Sequence, residues 1–172
     1  MTVPVTIGDR LEGRRALVTG GTKGAGAAIA ARLAESGATV MTTARTRPGS
    51  ELPADLFVAA DISAPAGAQE VIKQVSQGFG ALDILVHTVG GSGSPAGGFA
   101  ALTDELWQDE LDLNLVAAVR LDRGLLPAMI QHGDGVVVHV TSIQRRLPLF
   151  EATLAYAAAK AALTTYSKGL AN

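Results

Sequence analysis

Tyr156 and Lys160, near the C-terminal end of this 172-residue chain, form a pair that could transfer a proton. They are four residues apart, so on a helix their side chains lie on one face. A phenol holds its proton too tightly for acid–base work at neutral pH, and a neighbouring ammonium stabilises the phenolate form. Because Y-x-x-x-K also arises by chance, the pair taken alone is interpreted as two surface residues of an amphipathic helix.

Two further polar residues could complete an acid–base site. Ser142 directly follows a β-branched run, and its hydroxyl could donate a hydrogen bond to a substrate carbonyl. Asn114 lies within an apolar stretch, where a helix disfavours asparagine. It could hold a water molecule that links to Lys160. The alternative is a core amide whose hydrogen bonds are all satisfied.

A glycine-rich segment near the N-terminus predicts a binding site for a pyrophosphate. Thr19 is followed by Gly20, Gly24 and Gly26 between a predicted strand and a predicted helix. Such a turn lets the backbone approach phosphate groups, and the helix N-terminus supplies unpaired N–H groups. A tight turn without a ligand is the alternative, and the lack of a Gly-Lys-Ser/Thr sequence excludes a P-loop. The other predicted contacts in this loop are Thr22, Lys23 and Ala25.

The residues after the second and third predicted strands bear on the choice of cofactor. No acidic residue ends the second strand to bind ribose hydroxyls; Arg45 stands there instead and could pair with a 2′-phosphate, with Lys23 in reach. We therefore predict NADP(H), with NAD(H) as the alternative if Arg45 and Arg47 are solvated. Asp61 could accept the adenine amino group, and an N-cap or Asx turn at Asp61 is an equal alternative.

These residues must be positioned by an alternation of strands and helices. The predicted strands are Ala16–Thr19, Thr39–Thr43, Leu56–Ala59, Asp83–Thr88 and Val136–Thr141. The predicted helices are Ala25–Ser36, Ala66–Phe79, Thr103–Ile130 and Ala155–Leu170. Because the strands are apolar on both faces, they predict a doubly wound parallel α/β sheet covered on both sides. Such sheets bind ligands beyond the carboxyl ends of their strands.

Composition narrows the class of protein further. Hydrophobic residues make up 48% of the chain, which fits one folded domain over residues 1–172. The net charge of −2 gives no basic stripe for nucleic acid. The chain has no cysteine, which excludes disulfides and thiolate metal sites, and its three histidines lack metal-ligand spacing, so no metal is predicted. No apolar run suits a membrane span, residues 1–10 do not read as a secretory signal, and a cytoplasmic location is expected.

Taken together and in this order, the motifs resemble the short-chain dehydrogenase/reductase family from about Leu11 to the end of the chain. The resemblance implies a Rossmann sheet of strand order 3-2-1-4-5 and hydride transfer between nicotinamide C4 and a carbonyl or alcohol carbon. It implies that Tyr156 is the acid–base residue, that Lys160 also binds the nicotinamide ribose, that Ser142 orients the substrate oxygen and that Asn114 supports a water relay. It also implies a homodimer or homotetramer. The remaining predicted cofactor contacts are Ile62, Thr88, Val89 and Gly90.

The chain departs from the family pattern in two places. Asn-Asn-Ala-Gly after the fourth strand is replaced by the segment His87–Gly90, and His87 is interpreted as a packed polar residue rather than a catalytic one. Family members also continue through two more strands and a substrate-binding lid. We therefore expect a fragment of a longer product, with a truncated protein as the alternative, and an apolar edge at the fifth strand.

The sequence says less about the substrate. The Gly90–Gly98 segment is predicted to be a flexible wall of the pocket, and Leu147, Leu149 and Phe150 indicate an apolar one. Arg145 and Arg146 could attract an anion, although solvated arginines are the preferred interpretation. We therefore expect a small, largely apolar carbonyl or alcohol substrate. The alternatives are a catalytically impaired nucleotide-binding module and a sugar epimerase or dehydratase.

Overall fold

The structure of the protein is a computed structural model that describes residues 10–49 and 54–171. The expectation that residues 1–10 carry no secretory signal falls almost wholly outside this description. Within the described residues, no helix has the length and apolar character needed to cross a membrane.

All five strands of the described sheet are parallel, and their order is β3-β2-β1-β4-β5. This confirms the predicted fold class and strand order. The strands are β1 Arg15–Thr19, β2 Thr39–Ala44, β3 Leu56–Ala59, β4 Ile84–His87 and β5 Val136–His139. In the register of the sheet, Thr19 lies beside both Thr43 and His87, and His87 lies beside His139. The carboxyl ends of these strands therefore meet along one edge.

Helices cover both faces of the sheet because its strands are apolar on both sides. On one face Leu17 and Leu85 pack in a cluster with residues of two helices, among them Val71 and Leu121. On the other face Val18 packs with residues that include Ala30 of a third helix. The helices are α1 Gly24–Glu35, α2 Pro65–Phe79, α3 Asp104–Leu111, α4 Ala117–His132 and α5 Leu154–Leu170.

The predicted single helix Thr103–Ile130 is interrupted, which corrects the sequence-based expectation. A π-helical turn, Asp112–Val116, separates α3 from α4. The side-chain Nδ2 of Asn114 donates to the main-chain oxygen of Glu110 at 3.0 Å. In a regular α-helix that oxygen would accept from the main-chain N–H of residue 114, so the side chain competes with the helical ladder and widens the turn. Two short 3₁₀ turns, Gly98–Ala101 and Ile143–Arg145, were also not predicted.

β5 lies at the edge of the described sheet with half-exposed apolar side chains. Val136 is 54% exposed and Val138 is 43% exposed. The predicted apolar edge is therefore present in the structure, and its main-chain groups are open to pairing with another strand.

An ion pair between Arg15 and Asp83 lies at the amino-terminal ends of the strands, opposite the edge where their carboxyl ends meet. The buried carboxylate of Asp83 accepts hydrogen bonds from the main-chain N and the Nε of Arg15, both at 2.8 Å. These bonds lower the pKa of Asp83 to about 2. The pair ties β1 to the residue that precedes β4.

Candidate active site

The glycine loop connects β1 to α1 and leaves the start of that helix open. Gly24 has φ +54°, a conformation that favours glycine, and a Cβ there would point into open space. A Cβ on Gly26 would instead collide with the main-chain oxygen of Gly20, so the helix packs directly on the loop. The N-cap residue Lys23 makes no side-chain capping bond. The main-chain N–H groups of the first helical turn are therefore free of side-chain capping and suited to a phosphate.

A cleft of about 830 Å³ opens beyond the carboxyl ends of the strands. Of the predicted cofactor contacts, all but Thr19, Tyr156 and Lys160 line it: Gly20, Thr22, Lys23, Gly24, Ala25, Gly26, Arg45, Asp61, Ile62, Thr88, Val89 and Gly90. Some residues that line the cleft were not predicted from the sequence. They lie on α2, on the π-helical turn and on α4, and include Pro65, Leu113 and Arg120. Arg120 donates to the carboxylate of Asp112 at 2.7 Å and to the main-chain oxygen of Ser63. Nothing in the local sequence distinguishes it from an ordinary surface arginine of a helix.

The two arginines after β2 have different surroundings. Arg45 lines the cleft together with Lys23. The guanidinium of Arg47 lies 5.0 Å from the ring centroid of Phe57, a cation–π contact. Only Arg45 of the two is placed to meet a ligand in the cleft.

Asp61 lines the cleft and also forms the turn expected as the alternative. Its Oδ1 accepts from the main-chain N of Ser63 at 3.1 Å and from the Ser63 hydroxyl at 2.6 Å. This is an Asx turn that leads into α2. The other carboxylate oxygen keeps its acceptor capacity for a ligand.

Thr19 is fully buried and acts behind the cleft rather than in its wall. Its hydroxyl accepts from the main-chain N of Thr88 at 3.2 Å, and its carbonyl accepts from the Thr88 hydroxyl. These two bonds tie the ends of β1 and β4 together. In this chain the two threonines therefore stabilise the sheet edge where the family pattern has asparagine.

Lys160 connects α5 to the cleft. It is buried, and its Nζ donates to the carbonyls of Val140 at 3.2 Å and Val89 at 3.4 Å, two residues that line the cleft. Burial lowers the pKa of Lys160. Its Nζ lies 5.9 Å from the ring centroid of the half-buried Tyr156, one turn earlier on α5. The structure therefore brings the predicted pair together at the ends of β4 and β5.

Ser142 follows β5 and is joined to the start of the same helix. Its hydroxyl oxygen accepts from the main-chain N of Gln144 at 3.2 Å. The side-chain oxygen of Gln144 in turn accepts from the hydroxyl of Thr153, the residue before α5. Because the Ser142 oxygen is the acceptor in its bond, its O–H proton is left to donate to a substrate oxygen.

Asn114 matches the satisfied core amide that was the alternative to a water-holding role. Its Oδ1 accepts from the main-chain N of Gly91 at 3.0 Å. Its Nδ2 donates to the Gly91 carbonyl and to both the carbonyl and the carboxylate of Glu110, at 2.9–3.0 Å. The side chain reaches the same place as Lys160: a Cβ on Gly90 would lie 2.9 Å from Asn114 Oδ1 and 2.7 Å from Lys160 Nζ.

A buried polar cluster beneath the site was not recognised from the sequence. The carboxylate of Asp122 on α4 contacts His87 Nε2 at 2.8 Å and His139 Nε2 at 3.1 Å. Burial raises the pKa of Asp122, but the two histidine hydrogen bonds outweigh that effect and hold it at about 2. Burial lowers the pKa of His87, which favours its neutral form. His139 Nδ1 also contacts the Ser167 hydroxyl at 3.1 Å, which anchors α5.

This cluster has the ligand types of a metal site, and its geometry favours hydrogen bonding instead. The ligand atoms of His87, Asp122 and His139 lie within 4.8 Å of one another. The two imidazole rings are stacked 4.8 Å apart with only 7° between their planes. Imidazole lone pairs lie in the ring plane, and lone pairs in two nearly parallel, separate planes do not meet at one ion.

Comparison with known proteins identifies the class to which this fold and site belong. The family model described as short chain dehydrogenase matches residues 14–172. The chain therefore belongs to the short-chain dehydrogenase family of oxidoreductases.

Individual relatives have related folds and greater length. The chain is 32% identical to the 3-oxoacyl-[acyl-carrier-protein] reductase FabG of Vibrio cholerae over 167 residues, which cover 94% of this chain and 67% of that protein. It is 35% identical to L-sorbose reductase from Gluconobacter frateurii, solved with NADPH and L-sorbose, with a TM-score of 0.86 over 95% of this chain and 65% of that one. NADH-dependent reductase A1-R′, solved with NAD, is 26% identical, with a TM-score of 0.85 over 93% of this chain and 72% of that one. The chain thus spans about two thirds of the length of these relatives.

Proposed function

We propose that the protein transfers a hydride between NADP(H) and the carbonyl or alcohol carbon of a small, largely apolar substrate. The observation that carries this proposal is the position of Lys160. Its buried ammonium binds two carbonyls of the nucleotide cleft, those of Val89 and Val140, and lies beside Tyr156. Lys160 therefore places the proposed proton-transfer pair, Tyr156 and Lys160, directly beside the proposed nucleotide cleft.

Each of the four predicted catalytic residues would have a separate role in this reaction. When bound, the coenzyme supplies or accepts the hydride at nicotinamide C4. In the reducing direction Ser142 donates a hydrogen bond to the substrate oxygen, and Tyr156 delivers the proton that completes the alcohol. Lys160 stabilises the phenolate that remains on Tyr156. Asn114 acts through Gly91 and holds the backbone next to Lys160 in place.

The cleft suits a dinucleotide, and its charges favour the phosphorylated form. Gly24 leaves open space above a helix N-terminus that has no side-chain cap, as a pyrophosphate requires. Arg45 lines the cleft just beyond β2, where an NAD site commonly has a carboxylate, and Lys23 of the glycine loop lines the same cleft. A guanidinium pairs well with a 2′-phosphate. NAD(H) is the alternative coenzyme.

The apolar part of the proposal rests on exposed side chains near the catalytic helix. Leu147 is 68% exposed and Phe150 is 71% exposed, and both lie between Ser142 and Tyr156 in the chain. Phe99 is 82% exposed, and the neighbouring N–H of Gly98 donates to the Glu151 carbonyl at 3.0 Å. The two segments that carry these apolar groups therefore meet at Glu151, shortly before the helix of Tyr156.

Helix surfaces support the proposed homodimer or homotetramer. Ile130 on α4 is 76% exposed and Leu170 on α5 is 42% exposed. An interface between copies that covered α4 and α5 would bury these two side chains. Sedimentation equilibrium of the purified chain tests this proposal, and a monomer at all concentrations would reject it.

The test of function combines coenzyme binding with a ketone panel. Affinities for NADPH and NADH are measured first, and NADPH oxidation is then followed by absorbance with L-sorbose, a 3-oxoacyl thioester and simple alkyl and aryl ketones. Tyr156→Phe should abolish turnover and leave NADPH affinity unchanged. Tyr166→Phe is the control for loss of a phenol hydroxyl on the same helix. Tyr166 does not line the cleft; it packs against His139 with ring centroids 5.8 Å apart and hydrogen-bonds to Asp122, so this variant should lose stability and keep turnover.

The second candidate function is a nucleotide-binding module without catalysis. The observation that favours it is length, since the chain spans about two thirds of its relatives. NADPH binding without turnover of any ketone would support this candidate. Turnover that survives Tyr156→Phe unchanged would reject the proposed role of Tyr156.

A further inference from the structure

Glu110, in the last turn of α3, is a buried carboxylate surrounded by hydrogen-bond donors. It is only 4% exposed. Its Oε1 accepts from the Ser92 hydroxyl at 2.6 Å, the Gly93 main-chain N at 3.0 Å and the Ser94 hydroxyl at 2.9 Å. Its Oε2 accepts from Asn114 Nδ2 at 2.9 Å. One side chain therefore holds both the segment after β4 and the amide of the π-helical turn.

The segment held by Glu110 leads from the cleft to the catalytic helix. It begins after Gly90, which lies against Lys160. At its far end the main-chain N–H groups of Gly97 and Gly98 both donate to the Glu151 carbonyl at 3.0 Å. Glu151 precedes α5 and its Tyr156 by a few residues. Because the segment is rich in glycine, its backbone conformation depends strongly on the hydrogen bonds to Glu110 and to the Glu151 carbonyl.

The four donors require an acceptor-only group. The main-chain N of Gly93 can only donate, and Asn114 presents its Nδ2 to Glu110 because its Oδ1 accepts from Gly91. An ionised carboxylate accepts at both oxygens, whereas the amide of a glutamine has an NH₂ that would face one of these donors. Glu110→Gln is therefore nearly isosteric but leaves a donor unpaired at this position.

We propose that Glu110 is a positioning residue that fixes Ser92–Ser94 as the wall of the substrate side of the site. The segment that contains this wall begins at Gly90, against Lys160, and its far end bonds the Glu151 carbonyl shortly before α5. By fixing it, Glu110 would govern substrate binding without touching the coenzyme cleft, whose lining does not include it. This inference rests on the proposed function and assigns to Glu110 the positioning of a part of the substrate-binding site.

The experiment compares two substitutions on α3 in the full chain. Glu110→Gln removes acceptor capacity from the buried carboxylate, and Glu105→Gln makes the same change at an exposed position one turn and a half earlier. Amide hydrogen exchange at residues 91–94 should become about 10- to 100-fold faster in Glu110→Gln and stay unchanged in Glu105→Gln. The KM for the ketone should rise about tenfold, while NADPH affinity stays within twofold.

A second variant approaches the same contacts from the loop. The double substitution Ser92→Ala with Ser94→Ala removes two of the donors at solvent-accessible positions and does not disturb the helix. It should reproduce the rise in KM if Glu110 acts through the wall. A rise in exchange without a change in KM, or no change in either quantity, would overturn the proposal.

The outcome also separates this inference from the proposed function. If the wild-type chain binds no nicotinamide coenzyme and reduces no ketone, the proposed function fails, and the role of the wall in substrate binding fails with it. Exchange at residues 91–94 still decides in that case whether Glu110 orders the segment. If the wild type is active and Glu110→Gln behaves like Glu105→Gln, only the positioning role is rejected.

Discussion

Replacing Gly90 by alanine should displace the ammonium of Lys160 and slow the reaction. The added Cβ would lie 2.7 Å from Lys160 Nζ, and ordinary contact begins at about 3.4 Å, so the ammonium must move by about 0.7 Å. Asn114 Oδ1, at 2.9 Å on the other side, blocks an easy shift of the loop itself. Misplacing a catalytic group by about 1 Å costs on the order of 100-fold in rate. We therefore expect kcat/KM to fall about 10- to 100-fold.

The assay follows ketone reduction at saturating NADPH and the thermal unfolding midpoint of the same samples. Overpacking of this kind costs about 1–3 kcal/mol of unfolding free energy, which is less than the stability of an ordinary domain, so the variant should remain folded. The matched control is Gly169→Ala on the helix of Lys160, because a Cβ there meets nothing within 4 Å. The control should retain full activity and gain a little stability, since alanine is the better helix former. A Gly90→Ala variant as active as the control would refute the claim that the position of the Lys160 ammonium requires the space that this glycine leaves free.

Three further changes test other parts of the structure. Arg45→Ala should weaken NADPH binding about tenfold and leave NADH binding within twofold, measured by titration of each coenzyme; equal losses would contradict pairing with the 2′-phosphate. The pKa of Asp83 falls from 3.8 to about 2 on folding, so Asp83 contributes about 2 kcal/mol to the free energy of unfolding above pH 4, and this contribution is lost as the pH falls towards 2. Urea unfolding across that range should show the loss, and Asp83→Asn should remove this part of the pH dependence. Asp122→Asn presents an NH₂ to one of the two histidine N–H groups, so its free energy of unfolding, measured with urea, should be about 1–3 kcal/mol lower. An unchanged free energy of unfolding would mean that the buried cluster adds no stability.

The parts of the fold that were predicted correctly depend on local rules. The apolar run Ala16–Thr19 and the glycines after it predict a buried strand and an open turn because β-branched residues and missing side chains restrict the backbone locally. The pairing of Tyr156 with Lys160 follows from the helical repeat alone. The strand order came from the family resemblance, and the structure confirms it.

What the sequence did not predict depends on contacts between distant segments. The π-helical turn exists because the Asn114 side chain takes the Glu110 carbonyl, a competition that a hydrophobic pattern does not reveal. Glu110 itself reads as one more acidic residue of an acidic helix until the loop after β4 folds onto it. The stacking of His87 on His139 requires the register between β4 and β5, which pairs these two residues. A search for polar residues at matched positions of neighbouring strands would have found this pair.

The proposed discrimination between the two coenzymes depends on the solution as well as on the protein. Arg45 and Lys23 would attract the extra phosphate through charges near solvent, which dissolved ions screen, with a Debye length near 10 Å at 0.1 M and 3 Å at 1 M. The main-chain N–H groups at the start of α1 bind at short range to a group that both coenzymes share. Under the proposed preference for NADPH, a higher ionic strength should therefore bring the affinities for NADPH and NADH closer together, and dilute buffers should separate them.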